Sequence, residues 1–348
     1  MVELIISEKP SSALKIAEAL ADGKPKKVTE DKVSYYEFIH KGKKIFVGCA
    51  VGHLFNLKEK NKKGWTYPVF ETIWAPSYEL NKNSDFTKKY IDTLSKLAEK
   101  CDKFVIACDY DLEGSLIGYN ILRFIAKKKD GRRMKFSTLT KEELQESYEN
   151  ASEHLDFPLI NSGEARHIID WIFGINLSRA LTLSVKNATN RFKILSSGRV
   201  QGPTLKILSD RELEIQKFKP KPYWELEALG DVNAQHKNGK FWEEKEVQKI
   251  YGKIKDEKSE VVKKITKKTQ LQSPPNPFDL TALQLEAYRL FRINPKDSLA
   301  VAQSLYTKAY ISYPRTSSNQ FPSNINLKLI LQKIAKQNEY SKLIQELL

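Results

Sequence analysis

Three carboxylates crowd into five positions of this chain, Asp109, Asp111 and Glu113, and Gly114 closes the run. Such a cluster repels itself unless a proton or a cation neutralises it. Oxygen-only ligation suits Mg²⁺, which commonly sits between a few carboxylates and a phosphate. The twelve-residue loop with a terminal Glu that marks a helix–loop–helix calcium site is not present here, and a solvated acidic loop without a ligand is the plain alternative. A second chemistry lies far downstream, where Tyr313 and Arg315 flank Pro314. The proline bars regular helix and biases Tyr313 toward extended backbone, in which residues two apart share a face. A phenol beside a guanidinium suits attack on a phosphodiester, the tyrosine as nucleophile and the arginine stabilising charge on the phosphorus oxygens. A simple aromatic turn would have the same pattern. Glu8 and Lys9 add a third charged pair at the end of a short apolar run.

The elements that must position these groups follow from the apolar pattern. Val2–Ile6 and Phe104–Ala107 read as short buried strands, each ending in charged residues and each followed by a helical pattern, Ala13–Leu20 and Leu116–Ile125. In an α/β sheet such strand ends converge on one crevice. Tyr35–His40 and Lys44–Cys49 form a predicted hairpin across Gly42, and His53 follows beside Gly52, where it could meet a phosphate or be merely structural. An aromatic-rich connection, Trp65 to Trp74, suits either base stacking or a satellite core. Thr87–Glu99 and Thr140–Asn150 are predicted helices, the second capped by Thr140 with Glu143 three residues on.

Beyond residue 158 the pattern turns helical. Arg166 and Asp170 stand four apart on one helix face, near enough to pair, and Asn176–Ala180, containing Arg179, is expected to open a further helix. The polar, glycine-bounded stretch Ser196–Thr204 leads into a helix over Leu205–Gln216, a start that offers free N–H groups and Arg199 to a phosphate, with an ordinary helix–helix turn as the alternative. Tyr223–Ala228 and Val261–Thr266 are strand-like, Pro274–Pro277 marks a boundary, and Ala282–Phe291 and Pro295–Ala309 are helical.

Composition sets the class. Lys and Arg number 58 against 43 Asp and Glu, so the net charge is +15, spread over the sequence in the manner of a folded basic surface facing a polyanion. A lysine-rich protein selected for heat tolerance or solubility would also fit. The 348 residues, 41% apolar, suffice for two or three domains. Three cysteines without a CxxC pair indicate neither a zinc finger nor a disulfide framework. We expect no long apolar span and no signal peptide, hence a soluble protein without membrane association.

In this order, Ser7-Glu8-Lys9-Pro10, Gly52-His53-Leu54, Asp109–Gly114, Glu164–Ala180, Ser197–Leu205, Pro277–Ala287 and Ile311–Thr316 resemble the motifs of type IA DNA topoisomerases, nearer the archaeal and topoisomerase III-like members than the main bacterial enzyme. The acidic motif alone also occurs in Toprim primases and nucleases. The resemblance implies a multidomain α/β plus α fold of toroidal architecture: a Toprim domain over 1–158, a helical gate-adjacent DNA-binding domain over 159–218, a β-rich arch segment over 219–277 and part of a helical tyrosine-bearing domain over 278–348. It implies ATP-independent cleavage and rejoining of one DNA strand through a 5′-phosphotyrosine, relaxing negative supercoils. Tyr313 would be the nucleophile, Arg315 a contact to the scissile phosphate, Glu8 the acid–base carboxylate, Lys9 a phosphate contact, and Asp109, Asp111 and Glu113 the Mg²⁺ ligands. His53, Arg166, Arg179, Arg199 and Gln201 would face DNA.

Tyrosine's ordinary pKa of about 10 makes it a poor nucleophile, so cationic surroundings are expected at Tyr313, and a neutral Glu8 is expected to protonate the departing 3′ oxygen. The implied partner is DNA, single-stranded or underwound, bound by a monomeric catalytic unit in the cytoplasm, on the chromosome. Ser115 stands where many relatives carry another glutamate, which we expect to alter metal affinity without abolishing chemistry. No histidine follows Tyr313, and family members usually continue well past this region, so a fragment is expected. A Toprim-type metal-dependent nuclease or primase, and a noncatalytic single-stranded-DNA-binding fragment, are the alternatives.

Overall fold

The computed structural model describes residues 2–62, 64–321 and 325–347. The chain divides into two compact units, Met1–Gly198 with Pro275–Leu348, and Arg199–Pro274. The first contains a six-stranded sheet built in chain order from β1 (Val2–Ser7), β2 (Lys26–Glu30), β3 (Val33–His40), β4 (Lys43–Cys49), β7 (Lys103–Ala107) and β8 (Arg132–Arg133), with β5 (Phe55–Glu59) and β6 (Thr72–Pro76) forming a separate antiparallel pair. The sheet order is β2-β3-β4-β1-β7-β8, so β1 lies at its centre, parallel to both neighbours.

Strands buried on both faces read as apolar runs, and β1 does so from Leu4 to Ile6. Ile5 joins Val47 and Val105 under the helices Pro10–Leu20 and Lys141–Glu149, while Leu4 and Ile6 pack the other face against Leu94, Leu97, Ile117 and Ile121. The register pairs Ser7 with both Cys49 and Ala107, which aligns the C-terminal ends of β1, β4 and β7. The strands and the hairpin read from sequence are therefore present, and the charged residues following them emerge side by side.

Several local expectations are corrected. Thr140 makes no side-chain cap bond; the Glu143 carboxylate instead accepts from the Ser137 backbone N–H at 2.5 Å and from the Ser137 and Thr138 hydroxyls, because the preceding turn folds back over the helix start. Asn176 does not open a new helix: Phe157–Thr189 is continuous. The Asn176 amide accepts from Val69 N–H at 2.7 Å and donates to the carbonyls of Val69 and Ile172, so it docks the helix onto the aromatic connection. Nothing between residues 157 and 189 removes a backbone donor after Pro158, and helix continues by default.

The expectation of no long apolar span is corrected too, since Phe157–Thr189 is long and apolar enough to cross a membrane, with a mean hydropathy of 1.3 in its most apolar window. One such helix is weak evidence for a membrane. This one carries Arg179, which is 7% exposed and ion-paired to Glu59, and Gly163 packs against the Leu112 carbonyl, where an added Cβ would lie only 2.8 Å away. Both contacts tie it to the sheet-bearing part of the same unit.

In the second unit a helix spans Gln201–Lys217, starting earlier than expected because Pro203 is tolerated in a first turn. β9 (Trp224–Ala228) pairs antiparallel with β10 (Ala234–Phe241) through an irregularity between Gln235 and Lys240. A helix, Glu244–Ile254, follows. The polar, glycine-containing β10 and this helix were not legible in the pattern, and Val261–Thr266, expected to be a strand, forms none.

Candidate active site

Beyond the aligned strand ends the chain turns sharply. Asp111 caps the helix Leu112–Phe124, its Oδ1 accepting from Gly114 N–H at 2.7 Å. A Cβ on Gly114 would run into the Asp109 carbonyl, so the residue closing the acidic run must be glycine for the turn to form. Arg133, 1% exposed, clamps the same turn from β8 by donating to the carbonyls of Ile106 (3.2 Å), Cys108 (2.8 Å), Asp109 (3.0 Å) and Met134 (3.1 Å). Burial lowers its pKa, opposed by neighbouring anions including Asp109 and Asp111.

Two of the three acids each accept from a tyrosine. Asp109, 3% exposed, accepts from Lys9 Nζ at 2.9 Å and from the Tyr306 hydroxyl at 3.2 Å. Tyr313 donates to Asp111 Oδ2 at 2.5 Å across 202 positions of sequence. Its backbone N–H is fixed on the Ser137 carbonyl at 2.8 Å, and its ring meets Tyr306 edge-on with centroids 5.3 Å apart. Lys9 also lies 3.3 Å from Glu8. One pocket thus joins Glu8, Lys9, Asp109, Asp111, Tyr306 and Tyr313.

The electrostatics sort these groups. Burial, followed by the charge of Asp109, pushes the Glu8 carboxyl above the usual carboxylate range despite Lys9. Burial works against the Lys9 ammonium, but Glu8 and Asp109 outweigh it and raise its pKa. Tyr313 departs from expectation: burial, the hydrogen bond to Asp111 and the nearby anions push its phenol well above the ordinary value, so anionic and not cationic surroundings dominate. Arg315 is exposed and makes no hydrogen bond or ion pair among the described residues, so the inward turn of Tyr313 separates it from the arginine two positions on.

Glu113 faces elsewhere. Its Oε2 lies 2.8 Å from His53 Nε2 and its Oε1 3.8 Å from Arg166 Nη1. The bond from His53 lowers its pKa against the cost of burial. His167 is the third member of this neighbourhood, its ring centroid 4.9 Å from that of His53; burial and His53 lower its pKa. Arg166 also pairs with Asp170 at 3.8 Å, as the spacing predicted. For Mg²⁺, Asp109 and Asp111 provide adjacent oxygen donors of the right hardness, and each carboxylate has lone pairs beyond its present bonds. They fit; Glu113, turned toward imidazoles, stands apart from that pair.

Of the expected DNA-facing residues, Arg179 is buried, donating to Glu59 at 2.8 Å and the Thr66 carbonyl at 2.7 Å, which commits its guanidinium to the fold. Arg199 and Gln201 are exposed in the second unit. Sequence reasoning missed Tyr306, Arg133 and His167. A tyrosine on an apolar helix face needs a polar partner when buried, which was a usable signal for Tyr306; adjacent arginines at 132 and 133 offered none for which would be interior.

Two regions of the chain match known protein families. Residues 3–139 match the Toprim domain and residues 154–348 the DNA topoisomerase family. DNA topoisomerase 1 of Methanocaldococcus jannaschii is 50% identical over 352 residues, covering 100% of this chain and 46% of that protein. The Pyrococcus horikoshii DNA topoisomerase 1 is 44% identical over 344 residues, covering 97% and 50%. The structure of full-length topoisomerase I from Thermotoga maritima superposes with a TM-score of 0.68 at 25% identity, covering 96% of this chain and 52% of that one. The chain spans about half the length of the curated relatives it matches. Its paired Toprim and topoisomerase regions, with a tyrosine reaching the Toprim acids, make this chain a member of the type IA DNA topoisomerase family.

Proposed function

We propose that this chain carries the strand-breaking centre of an ATP-independent DNA topoisomerase, with Tyr313 as nucleophile. The observation that supports this most directly is the Tyr313–Asp111 hydrogen bond, which unites a phenol from the C-terminal part of the chain with the acidic turn. Tyr313 Oη would bond to phosphorus as the P–O3′ bond breaks, its proton passing to the Asp111 carboxylate. Glu8, whose carboxyl burial and Asp109 push above the usual carboxylate range, would give a proton to the departing 3′ oxygen. Reversal re-forms the phosphodiester, because the phosphotyrosine conserves the bond energy.

Lys9, beside both Glu8 and Asp109, would contact the phosphate. Arg315, exposed two positions from Tyr313, would close onto the phosphate once DNA is bound. Asp109 and Asp111 would hold Mg²⁺, whose charge supplies electrostatic stabilisation of the phosphate; Glu113 would assist only by turning from His53. The neutral phenol, hydrogen-bonded to Asp111, is the resting state, and that contact is the path its proton would take.

The substrate is DNA, single-stranded or underwound, gripped through its phosphates by a chain of net charge +15, with His53, Arg166, Arg199 and Gln201 as further contacts. The catalytic unit is monomeric, soluble and chromosome-associated, and its working parts are residues 1–158, 159–218, 219–277 and 278–348. Incubation with labelled single-stranded DNA and Mg²⁺, then denaturation, tests the reading. A protein–DNA adduct with DNA on Tyr313 is expected, and Tyr313→Phe should abolish it, an effect of about 10⁴-fold or more. An equal adduct yield in that variant, or free 5′-phosphate ends with no covalent species, would replace this mechanism with a hydrolytic one.

A further inference from the structure

We infer that His53, Glu113 and His167 form a second cation site, selective for an imidazole-preferring divalent transition ion such as Zn²⁺ or Co²⁺ over Mg²⁺. One ligand atom from each residue lies within 4.8 Å of the other two. The donors come from three separate elements: the turn after β4, the start of the helix Leu112–Phe124 and the long helix Phe157–Thr189. Two imidazole nitrogens and one carboxylate oxygen suit zinc, cobalt or nickel, whereas Mg²⁺ takes oxygen donors and keeps its waters.

Two further observations favour a ligand here, beside the 2.8 Å approach of His53 Nε2 to Glu113 Oε2, which aims imidazole and carboxylate at one point. The His167 ring is held as metal-ligating imidazoles usually are, by a hydrogen bond on one nitrogen: Asn56 Oδ1 lies 3.2 Å from Nε2, and Trp74 stacks on the ring with centroids 5.3 Å apart. Finally, a cavity of about 350 Å³ lined by these three residues with Asn56, Asp170 and Trp171 adjoins the cluster. Three protein ligands leave a fourth position for water or an anionic oxygen.

This site stands whether or not Tyr313 cleaves DNA, since no member of the cluster is the nucleophile or its proton acceptor. The test is equilibrium dialysis of the untagged chain against Co²⁺ in a large excess of Mg²⁺, with the visible absorption of Co²⁺ as a second readout. One equivalent should bind. Affinity should fall by at least about 10-fold in His53→Gln and in His167→Gln. It should persist in the double variant Asp109→Asn/Asp111→Asn and in His154→Gln, which removes a histidine paired with Asp130 outside the cluster. Because Trp74 stacks on His167 and Trp171 lines the cavity, Co²⁺ should quench tryptophan fluorescence, and Trp74→Phe should retain binding while losing part of that quench. Glutamine substitutions at these half-exposed positions preserve an amide, and thermal unfolding reports whether each variant is folded. Unchanged affinity on loss of either imidazole, loss of binding with the aspartate pair, or displacement by Mg²⁺ would each overturn the assignment.

Discussion

Asp109 and Asp111 on one side and Glu113 on the other belong to one acidic run but occupy different environments. The aspartates face Lys9, Tyr306 and Tyr313, whereas Glu113 faces His53 and Arg166. The turn explains the separation: Asp111 caps the helix and Glu113 lies in its first turn, so successive acidic side chains leave the backbone in different directions. Five consecutive positions thus enter two environments, one facing an ammonium and two phenols, the other facing imidazole. Proximity in sequence does not make carboxylates a single ligand set.

The largest expected effect breaks that comparison directly. Asp111→Asn should reduce adduct formation by about 10²-fold or more, as loss of a proton acceptor does, while Glu113→Gln should reduce it by no more than about one order of magnitude. Adduct rates at fixed DNA and Mg²⁺ separate the two. Equal losses would mean that all three acids converge when DNA is bound.

The support beneath the aspartates should be energetically heavier than that beneath Glu113. Arg133→Met removes the donor from four carbonyl groups and should destabilise the chain by about 3 kcal/mol in urea unfolding. Tyr306→Phe removes one hydrogen bond to Asp109 and should cost about 1 kcal/mol. A small effect of Arg133→Met would mean that the turn is held by Gly114 and the helix cap alone.

The smallest effect concerns pH, and its sign differs between the sides. Glu8 has a raised pKa in the fold, so its contribution is fully present below the unfolded carboxylate value and is lost as pH rises through the folded one. Glu113 has a lowered pKa, so its contribution is present above the unfolded value and is lost as pH falls through the folded one. Relative to the unsubstituted chain, Glu8→Gln should therefore gain stability as pH rises above 4.5, whereas Glu113→Gln should show a constant deficit above 4.5 that disappears as pH falls below it, a weak effect because Glu113 is partly solvent-screened. Parallel unfolding curves across pH, with slopes of the same sign, would remove the electrostatic distinction.

Much of the site was legible because it rests on local rules. Apolar runs ending in charge marked β1 and β7, and Pro314 marked the break that carries Tyr313. The less legible parts depend on what packs across. The helix through Asn176 runs on unbroken, and the Asn176 amide is taken up by Val69, more than a hundred positions earlier. Glu143 abandons a local cap for Ser137 and Thr138. β10 pairs despite an Asn–Gly step because β9 supplies its partner. In each case a distant or folded-back group offers a better hydrogen bond than the one spacing suggested.

The sequence by itself determined the short buried strands ending in charge, the break at Pro314 that carries Tyr313 and the net basic charge, since backbone sterics, hydrophobic periodicity and net charge act locally or additively. Only the tertiary structure decided that Tyr313 rests on Asp111 away from Arg315, that Arg133 holds the turn from inside, and that Glu113 turns to two histidines. Those outcomes depend on burial and on partners more than fifty residues away in most cases, and the free energy of a charged group is set by the neighbours that folding brings to it.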